Sequence, residues 1–457
     1  MSAQFNDFLK SIKNKNIAVV GVGISNTPII TMLAKAGANV KAFDKNEKSS
    51  LGDCVFELES LGVKLVCGKD YLDSLDGDIV IKTPGMRFDN PALVRAKQNG
   101  AVITSEMELF FEYCPCKIIA VTGSDGKTTT TSLIYEMLKA SGKTVHLGGN
   151  IGMPLLPRIN DIDKDDIVVA ELSSFQLHTM KKSANTAVVT NLSPNHLDVH
   201  KSMQEYTDAK TNIFKYQSSD DLLILNGDNE ITNSFADIAK GRILKFSFKK
   251  QPDCDGAFYK DNAVYIKKGE NVTKLLDRRD ITLRGDHNVE NFMAAILAVL
   301  DICSTEHIVS VANNFGGVRH RIEFVRELNG VKFYNDSIGS SPTRTIATLR
   351  SFEEKVILIA GGYDKQLPFD ELGKIIPKHV KALFLTGATA QKIKDAVTAD
   401  LPITVIDDFD SAVRAAADFA TAGDSVLLSP ACASFDKFKN FEVRGDRFVD
   451  IVNNLME

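Results

Sequence analysis

The chain has 457 residues, of which 44% are hydrophobic, and its formal net charge is -5. This length exceeds a single hydrophobic core and fits about three domains. The small net charge, without a basic cluster, argues against nucleic acid as the main partner, so small molecules are the expected ligands.

The N-terminal residues lack the layout of an export signal, and no apolar run approaches the roughly 18 residues that a membrane helix requires. Seven scattered cysteines do not form a disulfide framework, and the pair Cys114 and Cys116 lacks a second pair at zinc spacing. We therefore expect a cytoplasmic protein that contacts no membrane.

Residues 1–112 are predicted to form a Rossmann-like domain. A strand at 16–20 leads into a glycine turn at 21–26, and a second strand ends in Asp44. Asn26 replaces the third glycine of the dinucleotide fingerprint, so the turn is weak evidence for NAD. We expect a nucleotide-bearing ligand across these strand ends; a βα turn that binds nothing is the alternative. The residues assigned to the ligand are Gly23, Ile24, Ser25, Asp44, Thr83, Pro84 and Gly85.

A phosphate-binding loop is predicted near the start of the second domain, residues 113–318. An apolar strand at 118–122 runs into the motif TGSDGKTT at 122–129, and an amphipathic helix follows. Backbone N–H groups and a helix N-terminus directed at one point suit phosphate oxygens, which makes ATP the expected ligand. Val121 occupies the position of the first glycine of the full GxxxxGK[ST] pattern, and an ordinary turn is the alternative. The residues assigned to ATP are Gly123, Ser124, Asp125, Gly126, Lys127, Thr128 and Thr129, with the Thr128 hydroxyl on Mg²⁺.

Polar residues also follow two other strands of the same predicted sheet. Glu171 comes directly after an apolar strand at 166–170, and His196 follows a strand at 186–192. Because the carboxyl ends of parallel strands share one edge, Glu171 is placed for a second Mg²⁺ contact. The alternatives are a helix-start glutamate paired with a lysine and a histidine on the polar surface.

Three further candidates lie on helices. Lys210 falls on the apolar stripe of a helix predicted over 202–216, where composition by itself favours a lysine with a buried stem and an exposed ammonium. Asn288 and Asn291 begin a long apolar helix, where they contact a base or phosphate or merely cap the helix.

Residues 319–457 are predicted to form a second parallel αβ sheet. Strands at 356–360, 382–385 and 425–428 each end in a loop. Lys365 follows the first of them and a hydroxyl-rich loop at 429–434 follows the last, an edge suited to a carboxylate. The predicted fold class is therefore α/β with three domains: a Rossmann-like N-terminal domain, a central P-loop ATPase-type domain with a mostly parallel sheet, and a Rossmann-like C-terminal domain.

Several motifs match a known family: TGSDGKTT, ELSSFQL, NLSPNHLD, GDHNVEN, RHRIE, NDS, GGYDK and SPACASFDKFKNFEVRG. With the helix that carries Lys210, they make essentially the whole chain resemble the Mur ligases of peptidoglycan synthesis, and among them the D-glutamate-adding members. The first domain matches mainly in layout, with Lys45 and Asn46 where an arginine is expected.

The resemblance implies a monomeric, cytoplasmic, ATP-dependent ligase that adds D-glutamate to UDP-N-acetylmuramoyl-L-alanine. The substrate carboxylate would take the γ-phosphoryl group of ATP, and the D-glutamate amine would attack the acyl phosphate through a tetrahedral intermediate. Lys127, Arg321 and two Mg²⁺ ions would stabilise the transferred phosphoryl group.

The resemblance also assigns the remaining residues. The metal ligands would be Thr128, Glu171, His196 and a carbamylated Lys210. Asn150 and His196 would face the intermediate, and Asn291 and Asp336 would hold the base and ribose of ATP. The residues expected on D-glutamate are Ser340, Lys365, Ser434, Phe435 and Phe441. Ile338 stands where some members carry a lysine, so Ser340 and Lys365 are expected to carry more of the glutamate binding.

Carbamylation of Lys210 also follows from charge. An ammonium near Glu171 and Mg²⁺ has the wrong sign for binding a hard cation. Burial lowers the pKa of an amine and leaves a neutral nitrogen that takes up CO₂, and the product is an anion with two oxygens.

Three other classes of protein share some of these features. Folylpolyglutamate synthases share the ATPase core, but in them the phosphate loop lies near the N-terminus, whereas here it starts at Gly123. A nucleotide-gated switch would not require the loop at 429–434 or Lys365, and Asn26 weakens the case for a dinucleotide dehydrogenase.

Overall fold

The computed structural model describes residues 3–23, 26–52, 54–193, 200–283 and 285–456. By its internal contacts the chain divides into two compact units, residues 1–281 with 286–313, and residues 282–285 with 314–457. The predicted mixed α/β class with mostly parallel sheets is confirmed. Among helices in the described ranges, none has both the length and the apolarity needed to cross a bilayer.

The first sheet of the first unit is five-stranded and wholly parallel, in the order β3-β2-β1-β4-β5. Its strands are β1 Asn16–Val20, β2 Asn39–Asp44, β3 Lys64–Cys67, β4 Ile79–Ile81 and β5 Val102–Thr104. The helices of this region are α1 Ala3–Ser11, α2 Thr27–Lys35, α3 Cys54–Ser60, α4 Pro91–Gln98 and α5 Glu106–Tyr113. The central strand β1 is apolar from its second residue onward because helices cover both faces of the sheet.

The second sheet of the same unit has nine strands in the order β14-β13-β12-β11-β10-β9-β6-β8-β7. The strands are β6 Lys117–Thr122, β7 Val145–Gly149, β8 Ile167–Glu171, β9 Thr186–Val189, β10 Leu222–Asn226, β11 Arg242–Ser247, β12 Gly256–Lys260, β13 Ala263–Lys268 and β14 Asn271–Asp277. The helices are α6 Lys127–Ala140, α7 Ser174–Leu177, α8 Met203–Thr211, α9 Glu230–Ser234, α10 Asp286–Val299 and α11 Thr305–Asn314. Strands β12 to β14 form antiparallel hairpins, and the other pairs are parallel.

The sheet of the second unit has six strands in the order β15-β16-β20-β17-β18-β19. The strands are β15 Glu323–Leu328, β16 Val331–Asn335, β17 Val356–Ala360, β18 Val380–Leu385, β19 Ile403–Val405 and β20 Ser425–Leu428. The helices are α12 Pro342–Leu349, α13 Asp370–His379, α14 Ala390–Ala396, α15 Phe409–Phe419 and α16 Phe441–Asn453. Only the edge pair β15 and β16 is antiparallel within this sheet, so the loops after the other strands meet at one edge.

The helix predicted over 202–216 was too long. Helix α8 ends at Thr211, and the chain turns back after Asn212. Ile213 and Phe214 are buried beyond the helix, because the apolar pattern reports burial and does not distinguish a helix from the turn that follows it.

Candidate active site

The loop at 123–126 joins β6 to α6 in the predicted strand, loop and helix order. Gly126 has a φ of 78°, and a Cβ atom there would lie 2.2 Å from Asn291 Oδ1 on α10. Gly123 has a φ of 150°, and its Cβ would lie 1.9 Å from Thr190 Oγ1. Both positions therefore require glycine, and the loop packs closely against β9 and α10.

Lys127 is the first residue of α6. Its ammonium nitrogen Nζ donates to the carbonyl oxygens of Gly123 at 3.0 Å and Ser124 at 2.8 Å. The side chain thus lies over the loop, where its charge adds to the positive end of the helix. Thr128 and Thr129 follow on the same first turn and are half-buried, and Asp125 is exposed. This arrangement suits a chain of phosphate groups.

Two residues that the sequence reasoning missed hold this loop. Asn191 Oδ1 accepts from the Asp125 backbone N–H at 3.0 Å, and Asn191 Nδ2 donates to the Asp125 carbonyl at 3.2 Å. Thr190 Oγ1 donates to the same carbonyl at 2.6 Å. Both residues directly follow β9, and their position at a strand end next to the loop strand was the signal that could have identified them.

Glu171 is the last residue of β8 and only 2% exposed. Its Oε1 accepts from Asn150 Nδ2 at 2.8 Å, so two predicted site residues are in contact. Its Oε2 is buried and has no hydrogen-bond partner within the described part of the chain. A buried carboxylate oxygen beside a phosphate-type loop has the chemistry of a Mg²⁺ ligand, so the residues present fit that ion.

Lys210 is 1% exposed, which excludes the snorkelling interpretation. Its Nζ donates to Thr122 Oγ1 at 3.0 Å and to the Gly123 carbonyl at 2.9 Å. Burial lowers the pKa of Lys210 well below its ordinary value; Lys127 lowers it further, and Glu171 opposes the shift. Lys127 and Lys210 therefore meet at the same carbonyl, and the buried one favours a neutral amine.

Tyr206, one turn before Lys210 on α8, is a further residue that the sequence did not assign. Its hydroxyl lies 3.0 Å from Ser124 Oγ, and its ring centroid lies 4.9 Å from Lys210 Nζ. The side chain therefore contacts both the loop and the buried lysine.

Other predictions for this unit have separate outcomes. His196, Ile24 and Ser25 lie outside the described residues. Asn291 is buried at the start of α10, where its Oδ1 accepts from Thr130 Oγ1 at 3.3 Å and its Nδ2 donates to Asn288 Oδ1 at 3.0 Å. Asn291 thus contacts α6, one turn beyond the loop.

At the carboxyl edge of the first sheet, the Asp44 carboxylate accepts two backbone hydrogen bonds. Its Oδ2 accepts from Val22 N at 2.7 Å and its Oδ1 from Asn46 N at 2.8 Å. Asn26, in place of the third fingerprint glycine, donates to the Val20 carbonyl at 2.9 Å and closes the turn. The turn is thus built without that glycine.

The two sheets of this unit share a cleft. The lining residues next to the first sheet are Asn26, Lys82, Pro84, Ser105, Glu106 and Met107. Those next to the second sheet are Gly149, Gly152, Pro154 and Gln176. The predicted ligand residues Thr83 and Gly85 flank Pro84, while Gly23 is exposed in the turn before Asn26. Burial raises the pKa of Glu106 to about 7, although the Leu155 and Leu156 N–H groups donate to it.

In the second unit, Asp336 follows β16 and is buried. Its Oδ2 accepts from Ser429 Oγ at 2.7 Å and from Thr348 Oγ1 at 2.8 Å. Burial raises its pKa to about 6, while the positive charge of Arg321 acts in the opposite direction. Ser340 lies in the same segment, half-buried before α12. Asp336 therefore links two strand ends.

Arg444, which the sequence analysis did not assign, joins two loops of the second unit through hydrogen bonds. It is 2% exposed and donates to the carbonyls of Ser337 at 2.9 Å, Cys432 at 3.1 Å and Ala433 at 3.2 Å. Burial lowers its pKa to about 10. Its place in the quoted motif, two residues after Glu442, was the available signal.

The predicted glutamate residues lie around these loops. Tyr363 N donates to the Ala433 carbonyl at 2.9 Å, which joins the loop that carries Lys365 to the loop that carries Ser434. Lys365 is exposed, Ser434 is buried, and Phe435 is 64% exposed. Phe441 begins α16, and its carbonyl accepts from Ser337 Oγ at 2.8 Å. An exposed ammonium and an exposed aromatic ring thus lie on loops that are joined at one sheet edge.

Together these features define an α/β protein with a phosphate-binding loop and a separate unit whose sheet edge presents polar loops. The family models for the "Mur ligase middle domain" and the "Mur ligase, glutamate ligase domain" match residues 121–299 and 320–432. Proteins named UDP-N-acetylmuramoylalanine--D-glutamate ligase from Acetivibrio thermocellus and Clostridium acetobutylicum are each 55% identical to the chain, with 100% of both chains covered. The chain belongs to the Mur ligase family, as the resemblance predicted.

Solved structures share the fold at lower identity. A UDP-N-acetylmuramate-alanine ligase from Thermotoga maritima is 20% identical with a TM-score of 0.56, and 96% of this chain and 99% of that chain are covered. A pseudomurein peptide ligase type C from Methanothermus fervidus is 19% identical with a TM-score of 0.52, covering 97% and 100%.

Proposed function

We propose that the chain catalyses the ATP-dependent addition of D-glutamate to UDP-N-acetylmuramoyl-L-alanine in peptidoglycan precursor synthesis. The observation that carries the proposal is the meeting of Lys127 and Lys210 at the Gly123 carbonyl, next to the buried carboxylate of Glu171. The substrate assignment rests on the 55% identical relatives that carry this activity in their names. We place the enzyme in the cytoplasm as a monomer, with domains at 1–112, 113–318 and 319–457.

In this mechanism the loop binds the phosphates of ATP. Its backbone N–H groups donate to the phosphate oxygens, and the N-terminus of α6 stabilises their negative charge. Lys127 neutralises the charge of the terminal phosphate oxygens. In the structure the Lys127 ammonium donates to the loop carbonyls, which holds its charge at the phosphate-binding loop. Asn291 and Asp336 would hold the base and ribose, and Arg321 would add positive charge, on the resemblance alone.

Magnesium would be held by Thr128, Glu171, His196 and Lys210. When bound, Mg²⁺ stabilises negative charge on the transferred phosphoryl group. Glu171 supports this assignment because its Oε2 is buried without a partner among the described residues. Asn150 orients the other oxygen of Glu171 and would also face the intermediate.

Lys210 would act as a carbamate. Its burial and lowered pKa favour the neutral amine that reacts with CO₂, and the product carries the negative charge that a cation site requires. The Nζ hydrogen bonds to Thr122 and Gly123 keep that nitrogen at the edge of the loop. Carbamylation thus converts a buried neutral amine into an anionic metal ligand.

The remaining substrate groups would bind at the first sheet of the first unit and at the sheet of the second unit. Gly23, Ile24, Ser25, Asp44 and the turn 83–85 are assigned to the UDP-bearing substrate, next to the cleft lined by Pro84. D-Glutamate is assigned to Ser340, Lys365, Ser434, Phe435 and Phe441. This assignment is supported by the exposed ammonium of Lys365, which lies on a loop that is hydrogen-bonded to the Ser434 loop.

The test supplies one amino acid at a time. The purified protein with Mg-ATP and UDP-N-acetylmuramoyl-L-alanine should release ADP with D-glutamate and should remain inactive with L-glutamate. A parallel reaction with UDP-N-acetylmuramate and L-alanine distinguishes the activity named for the Thermotoga maritima structure. ADP release only in that parallel reaction, or equal rates with both glutamate isomers, would overturn the proposal.

A further inference from the structure

Cys114 and Cys116 form a close thiol pair in the connector between the two sheets of the first unit. Cys114 follows α5, and Cys116 directly precedes β6, the strand that ends at the phosphate loop. Their sulfur atoms lie 3.8 Å apart, and both side chains are half-buried, within reach of a small oxidant. All seven cysteines of the chain are thiols.

The backbone permits a bond between these sulfurs. Residues two positions apart are separated by at most about 7 Å between Cα atoms, which is the upper limit for a disulfide. Pro115 restricts the connector, and the chain bends at Cys116. The sulfurs already face one another, so closure requires side-chain rotation and little backbone movement.

The surroundings distinguish the two thiols. The hydrogen bond between the two thiols lowers the pKa of Cys114, burial opposes this shift, and the charge of Lys182 lowers the pKa further. Lys182 is held nearby, because its Nζ donates to the Glu112 carbonyl at 3.1 Å. For Cys116 the hydrogen bond with Cys114 and burial raise the pKa. The positive charge of Lys182 favours a thiolate at Cys114, which makes Cys114 the attacking thiol and Cys116 the thiol that resolves.

We propose that Cys114 and Cys116 form a reversible dithiol–disulfide couple that reacts with low-molecular-weight disulfides. The Cys114 thiolate attacks one sulfur of the small disulfide and expels a thiolate, which leaves a mixed disulfide on Cys114. The expelled thiolate takes the proton of Cys116, whose sulfur then attacks the Cys114 sulfur and releases the second small thiolate, which takes up the proton that Cys114 had lost. Two protein thiols are oxidised and one small disulfide is reduced to two thiols, so the reaction balances.

The bond closes a ring of three residues directly before β6. It restricts the backbone between α5 and the strand that leads to Gly123. The proposal is independent of which reaction the protein catalyses, since it depends only on the thiol pair.

The experiment treats the full-length protein with oxidised glutathione, quenches it with acid and maps the tryptic peptides. Cleavage after Lys97 and Lys117 places both cysteines in the single peptide 98–117. That peptide should lose the mass of two hydrogen atoms, and dithiothreitol should restore it. Cys54→Ser is the matched control, because Cys54 is a similarly half-buried thiol, and it should leave this closure unchanged.

The Cys116→Ser variant separates disulfide formation from simple modification of Cys114. In Cys116→Ser the glutathione adduct should persist on Cys114 and reach at least about tenfold the level in the wild-type protein, because the resolving thiol is absent. Persistent adducts on the wild-type peptide 98–117, or unchanged thiols there while Cys54 is modified, would overturn the proposal.

Discussion

The side chain of Asn191 pairs with both backbone groups of Asp125: Oδ1 accepts from the N–H at 3.0 Å and Nδ2 donates to the carbonyl at 3.2 Å. Asn191 lies just beyond β9, and Asp125 lies in the middle of the phosphate loop. The loop conformation therefore depends on a residue distant in sequence from the motif.

Asn191→Ala should raise the KM for ATP about tenfold, because two hydrogen bonds that hold the loop are lost. Steady-state kinetics with varied ATP measures this. Asn185→Ala is the matched control: Asn185 accepts from Ile118 N at 3.0 Å at the opposite end of β6, so it should affect stability and spare nucleotide binding. Equal changes in KM for both variants would contradict the role of Asn191.

Lys127→Ala should lower kcat by about 10² to 10³, since the lysine neutralises phosphates that the loop only surrounds. ADP release under saturating substrates measures the loss, and circular dichroism should be unchanged. Lys139→Ala, an exposed lysine near the end of the same helix, serves as the control. Retention of more than about a tenth of the wild-type kcat would refute the assigned role.

Glu171→Gln should weaken the Mg²⁺-dependent binding of a non-hydrolysable ATP analogue by at least about tenfold. The amide retains the shape and the contact with Asn150 but removes the negative charge that suits a hard cation. Calorimetric titration with and without Mg²⁺ separates the metal-dependent part. If the variant and the wild-type protein respond equally to Mg²⁺, Glu171 is not a metal ligand.

Lys210→Ala should abolish ligase activity while it retains binding of the ATP analogue, and added acetate or another short carboxylic acid should restore part of the rate. The small acid would occupy the space of the carbamate and supply its negative charge. Lys215→Ala, an exposed lysine five positions later, is the control. Intact-mass measurement of an active sample that shows only unmodified Lys210 would exclude the carbamate.

Glu106→Gln should change how stability depends on pH. The pKa of Glu106 is raised from 4.5 to about 7, so the folded state binds more protons than the unfolded state between these values. The wild-type free energy of unfolding should therefore fall as pH rises through this window, by about 2 to 3 kcal/mol relative to Glu106→Gln. Urea unfolding at several pH values measures the difference. Glu112→Gln, on the exposed side of α5, should follow the wild-type protein, and parallel pH curves for all three would reject the assignment.

Sequence patterns were enough to predict the α/β class, the strand, loop and helix of the phosphate site, and the family. These features depend on local pattern: an apolar run, closely spaced glycines and an amphipathic stretch are all readable within about twenty residues. Reliance on local pattern also explains why the helix was predicted to extend past Thr211. The buried apolar residues continue through Phe214, although the helical backbone has ended.

The contacts that surround those motifs could be identified only in the folded chain. Asn191, Tyr206 and Arg444 act through contacts with residues 66, 82 and up to 107 positions away, which no local pattern encodes. The folded structure also distinguishes the two interpretations of Lys210, because a lysine on an apolar stripe is either exposed at its tip or buried, and only packing against the phosphate loop determines which.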